Sequence, residues 1–149
     1  MNVFLAGIIQ GSKVAAEIHA QDWREPIKAA LEQHVPHAEV YCHYTCHPNS
    51  ITYELPQIRE TLEDGIARAA RSDLVIAYCP SASMGTAIEI YEACRNRAVV
   101  LAVTPLIANW VLRVYTDRIF SDVEALASFL QSEEFDQLYR DKRGREATA

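Results

Sequence analysis

Short apolar runs alternate with longer stretches of helical period along almost the whole chain. The first run, NVFLAGI at 2–8, predicts a buried strand; polar sequence follows over 10–20. A helix is predicted over 22–34, with Trp23, Ile27, Ala30 and Leu31 at helical spacing, Asp22 as N-cap and Pro26 in its first turns. EVYCHY at 39–44 predicts a second strand. A long helix follows over 55–71, carrying Ile58, Leu62, Ile66 and Ala69 on one side. DLVIAYC at 73–79 has no charge after its first residue, the pattern of a strand covered on both faces. The remaining elements are a helix from about Met84 to Asn96, a strand over 98–103, a short helix over 106–115, a strand stub over 118–120 and a helix over 122–131. The end of the chain, DKRGREATA, lacks apolar periodicity, and a disordered tail is expected over 136–149 after a single domain over 1–135.

Regular alternation of strand and helix implies an α/β domain, doubly wound in the Rossmann or flavodoxin manner. About five strands would form a mostly parallel sheet with helices on both faces. Such sheets bind ligands beyond the carboxyl ends of their strands. The loops after Ile8, Tyr44, Cys79 and Val103 should therefore share one rim.

Composition narrows the partners. Lys and Arg number 14 against 20 Asp and Glu, a formal net charge of −6. That balance argues against a nucleic-acid polymer or an anionic membrane as partner, since both need clustered cations. A small phosphate held by backbone N–H groups remains compatible with it. The four cysteines, Cys42, Cys46, Cys79 and Cys94, read as free thiols of a cytoplasmic protein.

The candidate chemistry lies on the predicted rim. AGIIQGS, from Ala6 to Ser12, places Gly7, Gln10, Gly11 and Ser12 after the first strand, where glycines permit close backbone approach and N–H groups can meet an anion. Its spacing matches neither a dinucleotide fingerprint nor a Walker loop. In PSASMGTAIEIYEA, Ser83 either caps the next helix or holds a ligand oxygen, with Gly85 and Thr86 beside it. Glu89, in the second turn, leans back toward the rim; Glu92 lies a turn deeper, and both could equally be solvated. Asp64, before Gly65 in the long helix, is a further candidate. CHYTCH (42–47) offers metal-ligand types, but it straddles a strand end where side chains alternate, so no metal is expected. Contact of His43 or His47 with a substrate is the better reading, with His43 the candidate carried forward.

Taken together, FLAG, the Asp-bearing helix, SDLVIAYCP and SMGTAIEIYEA resemble the nucleoside 2-deoxyribosyltransferase superfamily over roughly residues 2–115. Ser83 stands where the transferases usually carry aspartate, six residues before the glutamate. This is closer to the branch that hydrolyses nucleoside 5′-monophosphates. The resemblance implies Glu89 as nucleophile at C1′, Asp64 as partner of the base or of its proton, and Gly7, Gly11 and Ser12 as a cradle for sugar and phosphate. It also implies a homodimer, or a higher homo-oligomer, in which Asn109 enters the neighbouring subunit's site, and it requires no cofactor. One departure stands out: Phe4 occupies the position of a tyrosine that often orients the glutamate.

Overall fold

The computed structural model describes residues 1–144. Its elements run β1 (Asn2–Gly7), α1 (Arg24–His34), β2 (Glu39–Cys42), the single turn α2 (His43–Cys46), α3 (Leu55–Arg71), β3 (Leu74–Tyr78), α4 (Met84–Arg95), β4 (Val99–Val103), α5 (Trp110–Tyr115), β5 (Arg118–Phe120), α6 (Val123–Leu130) and α7 (Glu133–Arg143). All five strands are parallel, in the order β2-β1-β3-β4-β5.

Alternation along the strands builds two cores. Val3, Leu5, Leu74, Ile76, Val99 and Leu101 face α1, α6 and α7, packing with Ile27, Leu31, Leu126 and Phe135. Phe4, Ala6, Val75, Ala77, Val100 and Ala102 face the other way, onto Ala69, Ile90, Ala93 and Leu112 of α3, α4 and α5. Burial on both faces explains why these strands read as unbroken apolar runs. The described residues include no helix long and apolar enough to cross a membrane.

Four local expectations change. Helix α1 starts at Arg24 and not at an Asp22 cap: Trp23 precedes it in helical conformation with no side-chain cap. Trp23 and Arg24, both buried, set the start through packing. β2 stops at Cys42, where its pairing with Leu5 ends, and the chain turns helical. The helix predicted over 106–115 begins only at Trp110, capped by Asn109. At the other end, where composition predicts disorder over 136–149, α7 extends to Arg143; residues 145–149 lie outside the described residues. Helix α7 forms because Ser132 caps it and Phe135 is buried, with Leu138 and Tyr139 packed on the same core. Its end is clipped to the sheet. Lys142 Nζ lies 2.7 Å from Asp117 Oδ2 and donates to the Ala98 carbonyl at 2.8 Å, while Arg143 pairs with Asp73 at 2.7 Å.

Candidate active site

In the order β2-β1-β3, the chain leaves β1 toward one face of the sheet through α1 and leaves β3 toward the other through α4. A crevice opens at such a switch point, outside the carboxyl ends of the strands. There the structure has a polar cavity of about 210 Å³, floored by Phe4 to Gly7 and walled by elements from both faces.

The loop after β1 needs its glycines. A Cβ at Gly7 would collide with the Trp23 ring and come within 3.0 Å of the Tyr78 carbonyl oxygen. Gly11, at φ +58°, takes the left-handed conformation, and a Cβ there would strike Ile8. Gln10 and Gly11 thereby reach the cavity.

Helix α4 begins at the opposite wall. Ser83 Oγ accepts a hydrogen bond from the Thr86 hydroxyl at 3.0 Å and a longer one from the Thr86 amide at 3.5 Å. With Ser83 accepting from Thr86, its own hydroxyl proton is left to donate. Gly85 lines the cavity, and a Cβ there would meet nothing within 4 Å, so a ligand can approach the open first turn of α4. One turn on, Glu89 lines the same cavity, half-buried. Its Oε1 would be 3.5 Å from a Cβ placed on Gly65, so the carboxylate lies against the backbone of α3. Burial raises the Glu89 pKa to about 8, opposed by the charge of Arg24. Behind it, burial and then the charge of Glu89 push the Cys79 thiol up to about 12, leaving it inert.

His43 also lines the cavity. Because residues 43–46 form a helical turn, His43 and His47 share a side, their rings 5.0 Å apart, and His47 Nδ1 lies 3.2 Å from the Tyr53 hydroxyl. Burial, then His47 and Arg24, lower the His43 pKa to about 4, so it is a neutral imidazole at physiological pH. Among the described residues no group of three or more His, Cys, Asp or Glu side chains could hold a metal ion.

The cavity thus unites Gly7, Gln10, Gly11, His43, Ser83, Gly85 and Glu89. Ser12 and Asn109 instead line an adjoining apolar cavity of about 240 Å³, which shares Gly11, Ser83 and Met84 with the first. Asn109 spends its side-chain oxygen on the Val111 and Leu112 amides of α5. Asp64 does not line the cavity: α3 presents Thr61 and Leu62, and Asp64 accepts from Arg68 Nε at 2.6 Å, with Arg68 stacked over Tyr41.

Arg24 escaped the sequence reading. It is 2% exposed, lines the cavity, and is tethered by Gln21, the Leu5 carbonyl and Cys42. A signal existed. Arg24 falls in register with Ile27 and Leu31, an arginine on the apolar stripe of its helix.

Solved structures share this architecture. The chain has the fold of a 2-deoxyribosyltransferase. The enzyme from Bacillus psychrosaccharolyticus superposes with a TM-score of 0.66 at 13% identity, covering 93% of this chain and 96% of that one. A conserved protein from Enterococcus faecalis gives 0.59 at 15% identity, covering 88% and 97%. The CMP N-glycosidase BcmB of Clostridium botulinum gives 0.50 at 18% identity, covering 87% and 97%. Neither a family model nor a curated protein matches the sequence.

Proposed function

We propose that the protein hydrolyses the N-glycosidic bond of a nucleoside 5′-monophosphate, releasing free base and (deoxy)ribose 5-phosphate. The observation that carries this reading is the convergence on one cavity of the Glu89 carboxylate and the Ser83-capped start of α4. The phosphate sits at the amino end of α4, taking the Ser83 hydroxyl and first-turn N–H groups near Gly85. One helical turn then separates the anchor from Glu89, which brings C1′ to the carboxylate.

A carboxylate oxygen of Glu89 bonds to C1′ as the C1′–N bond breaks, and its electron pair leaves with the base, which takes up a proton. Water then attacks C1′, the glycosyl ester breaks, and Glu89 is restored as carboxylate with the sugar phosphate released; the proton that the water gives up to solvent balances the one the base has taken from it. Gly7, Gln10 and Gly11 border the sugar, and neutral His43 faces the base as donor or acceptor. Asp64 has a lesser part, since reaching the base requires it to leave Arg68. The likeness to both a transferase and a CMP N-glycosidase agrees with glycosidic chemistry on this fold.

The active unit in this reading is a homodimer or higher homo-oligomer. Its support is the exposure of large apolar side chains on α3, α4 and α5, Leu55 (68%), Met84 (84%) and Trp110 (83%), of which Met84 lines the apolar cavity. In this reading Ser12 and Asn109, which line the apolar cavity, complete a neighbour's site.

The test is a screen of ribo- and deoxyribonucleoside monophosphates for released base, with Glu89→Gln as control. Base release that Glu89→Gln abolishes supports the proposal. Tight nucleotide binding without release would make the protein a binding module. A new nucleoside formed when a second free base is added would make it a transferase.

A further inference from the structure

Arg24 is the only cationic side chain of an Arg or Lys lining the candidate active site among the described residues. Its surroundings are unusual for a buried guanidinium, which normally meets a carboxylate. Nε donates to Gln21 Oε1 at 2.8 Å, and Nη1 lies 3.4 Å from the Leu5 carbonyl and 3.3 Å from Cys42 Sγ. The plane rests on Trp23, 4.1 Å from the ring centroid, with Tyr44 at 5.6 Å. No described carboxylate pairs with Arg24 within 4 Å, and its nearest titratable neighbour is Cys42, whose pKa is lowered against burial by hydrogen bonding to Thr45 and by the charge of Arg24. These contacts fix the group from the α1 side of the sheet. Glu89 faces the same cavity from the α4 side.

The other groups around Glu89 cannot supply a countercharge. β1 offers Phe4, without a hydroxyl, and α3 offers Thr61, Leu62 and Gly65. His43 on α2 is neutral and Cys79 at the end of β3 stays a thiol. Asp64 is occupied with Arg68.

We propose that Arg24 is a positioning residue, tethered across the cavity so that its charge lowers the pH at which Glu89 takes the anionic form that attacks C1′. It does the work for which Phe4 has no hydroxyl, and it does so without touching the reacting atoms. The role in attack rests on the glycosidase reading; the charge coupling does not, and the two are tested separately.

The coupling is read without substrate. In 13C-labelled protein, the Glu89 carboxyl resonance, assigned by its loss in Glu89→Gln, is titrated against pH. Arg24→Gln should move its midpoint at least about one pH unit alkaline, and Arg24→Lys, retaining a charge, should recover part of that shift. An unmoved midpoint overturns the proposal. Should Arg24→Gln fail to fold, the wild type decides. The Arg24 15Nε resonance should then report the Glu89 midpoint, and this response should vanish in Glu89→Gln. A flat Arg24 signal through that range overturns the proposal.

With a nucleotide substrate in hand, the rising limb of kcat/KM in Arg24→Gln should move alkaline with the carboxyl midpoint. The rate would be down about tenfold near neutrality and recover at high pH. A KM raised equally at every pH, with the limb unmoved, would make Arg24 a ligand anchor and overturn the proposal. Carboxyl coupling in a protein that releases no base would refute the glycosidase reading alone.

Discussion

Glu89→Gln should make the protein more stable at neutral pH while removing its activity. A carboxyl whose folded pKa lies above its unfolded value stays protonated in the native state while the unfolded chain ionises. The native state then binds more protons, so stability falls as pH rises. For Glu89, at about 8 folded against an ordinary 4.5, this loss develops between those two values and is constant above them. From pH 5 to pH 7 full expression of the shift amounts to about 2.5 kcal/mol. The carboxylate opens onto a wettable cavity, and solvent screening reduces the effect to about 1–2 kcal/mol. Glutamine keeps the shape and has no proton to lose. The assay is urea unfolding of both proteins at pH 5, 6, 7 and 8.5. The advantage of Glu89→Gln should grow by about 1–2 kcal/mol from pH 5 to 7, or roughly 2–8 °C in Tm for a chain of this size. An advantage that is pH-independent would refute the reasoning, because it would mean that Glu89 ionises in the cavity as it does in water.

Ser83→Ala should raise KM for a monophosphate far more than for the free nucleoside, and lower stability by about 1 kcal/mol through loss of the cap; equal effects on both substrates would make Ser83 only a cap. Asp64→Asn should reduce kcat less than tenfold, measured by base release, because the aspartate is bound to Arg68 outside the cavity. Two glycines should respond oppositely in thermal melts. Gly11→Ala should destabilise by about 1 kcal/mol or more because its backbone is left-handed and Ile8 blocks the Cβ, whereas Gly65→Ala, in ordinary contact with Glu89, should gain up to about 1 kcal/mol of helix propensity. Lys142→Met should cost about 1–2 kcal/mol in urea unfolding, since it takes the Lys142 ammonium from the Ala98 carbonyl and leaves the half-buried Asp117 carboxylate with the Val100 amide but no countercharge from Lys142.

What could be read from the sequence was whatever a local pattern enforces. β3 and β4, covered on both faces, announced themselves as apolar runs, and the bounds of α3 follow directly from its periodicity. Ser83 and Glu89 were legible because a strand end, a cap and the lean of helical side chains suffice to aim them at one rim. Asp64 stands apart from the cavity because of a rotation of about 100° per residue, which spacing alone does not register and which turns Gly65 toward Glu89 and Asp64 toward Arg68. Helix α7 was hidden by its charge: buried Phe135, the partly buried Leu138 and Tyr139, and two distant ion pairs hold it, and the ion-pair partners, Asp117 and Asp73, are remote in sequence. Arg24 showed in the sequence only as an arginine on an apolar stripe, and its place in the site was hidden for a similar reason, since its tethers at Leu5 and Cys42 become neighbours only when β1 and β2 pair.

The two charged groups of the cavity are rooted in different cores, Arg24 above Ile27 and Leu31 on one side of the sheet, Glu89 beside Ile90 and Ala93 on the other. The sheet itself is therefore the spacer between them. Packing changes that lift α1 or α4 by a fraction of an ångström would retune the acidity of Glu89 from positions that never meet a ligand. The acidity of Glu89 is in that sense a property of the protein's interior, open to adjustment from either face independently.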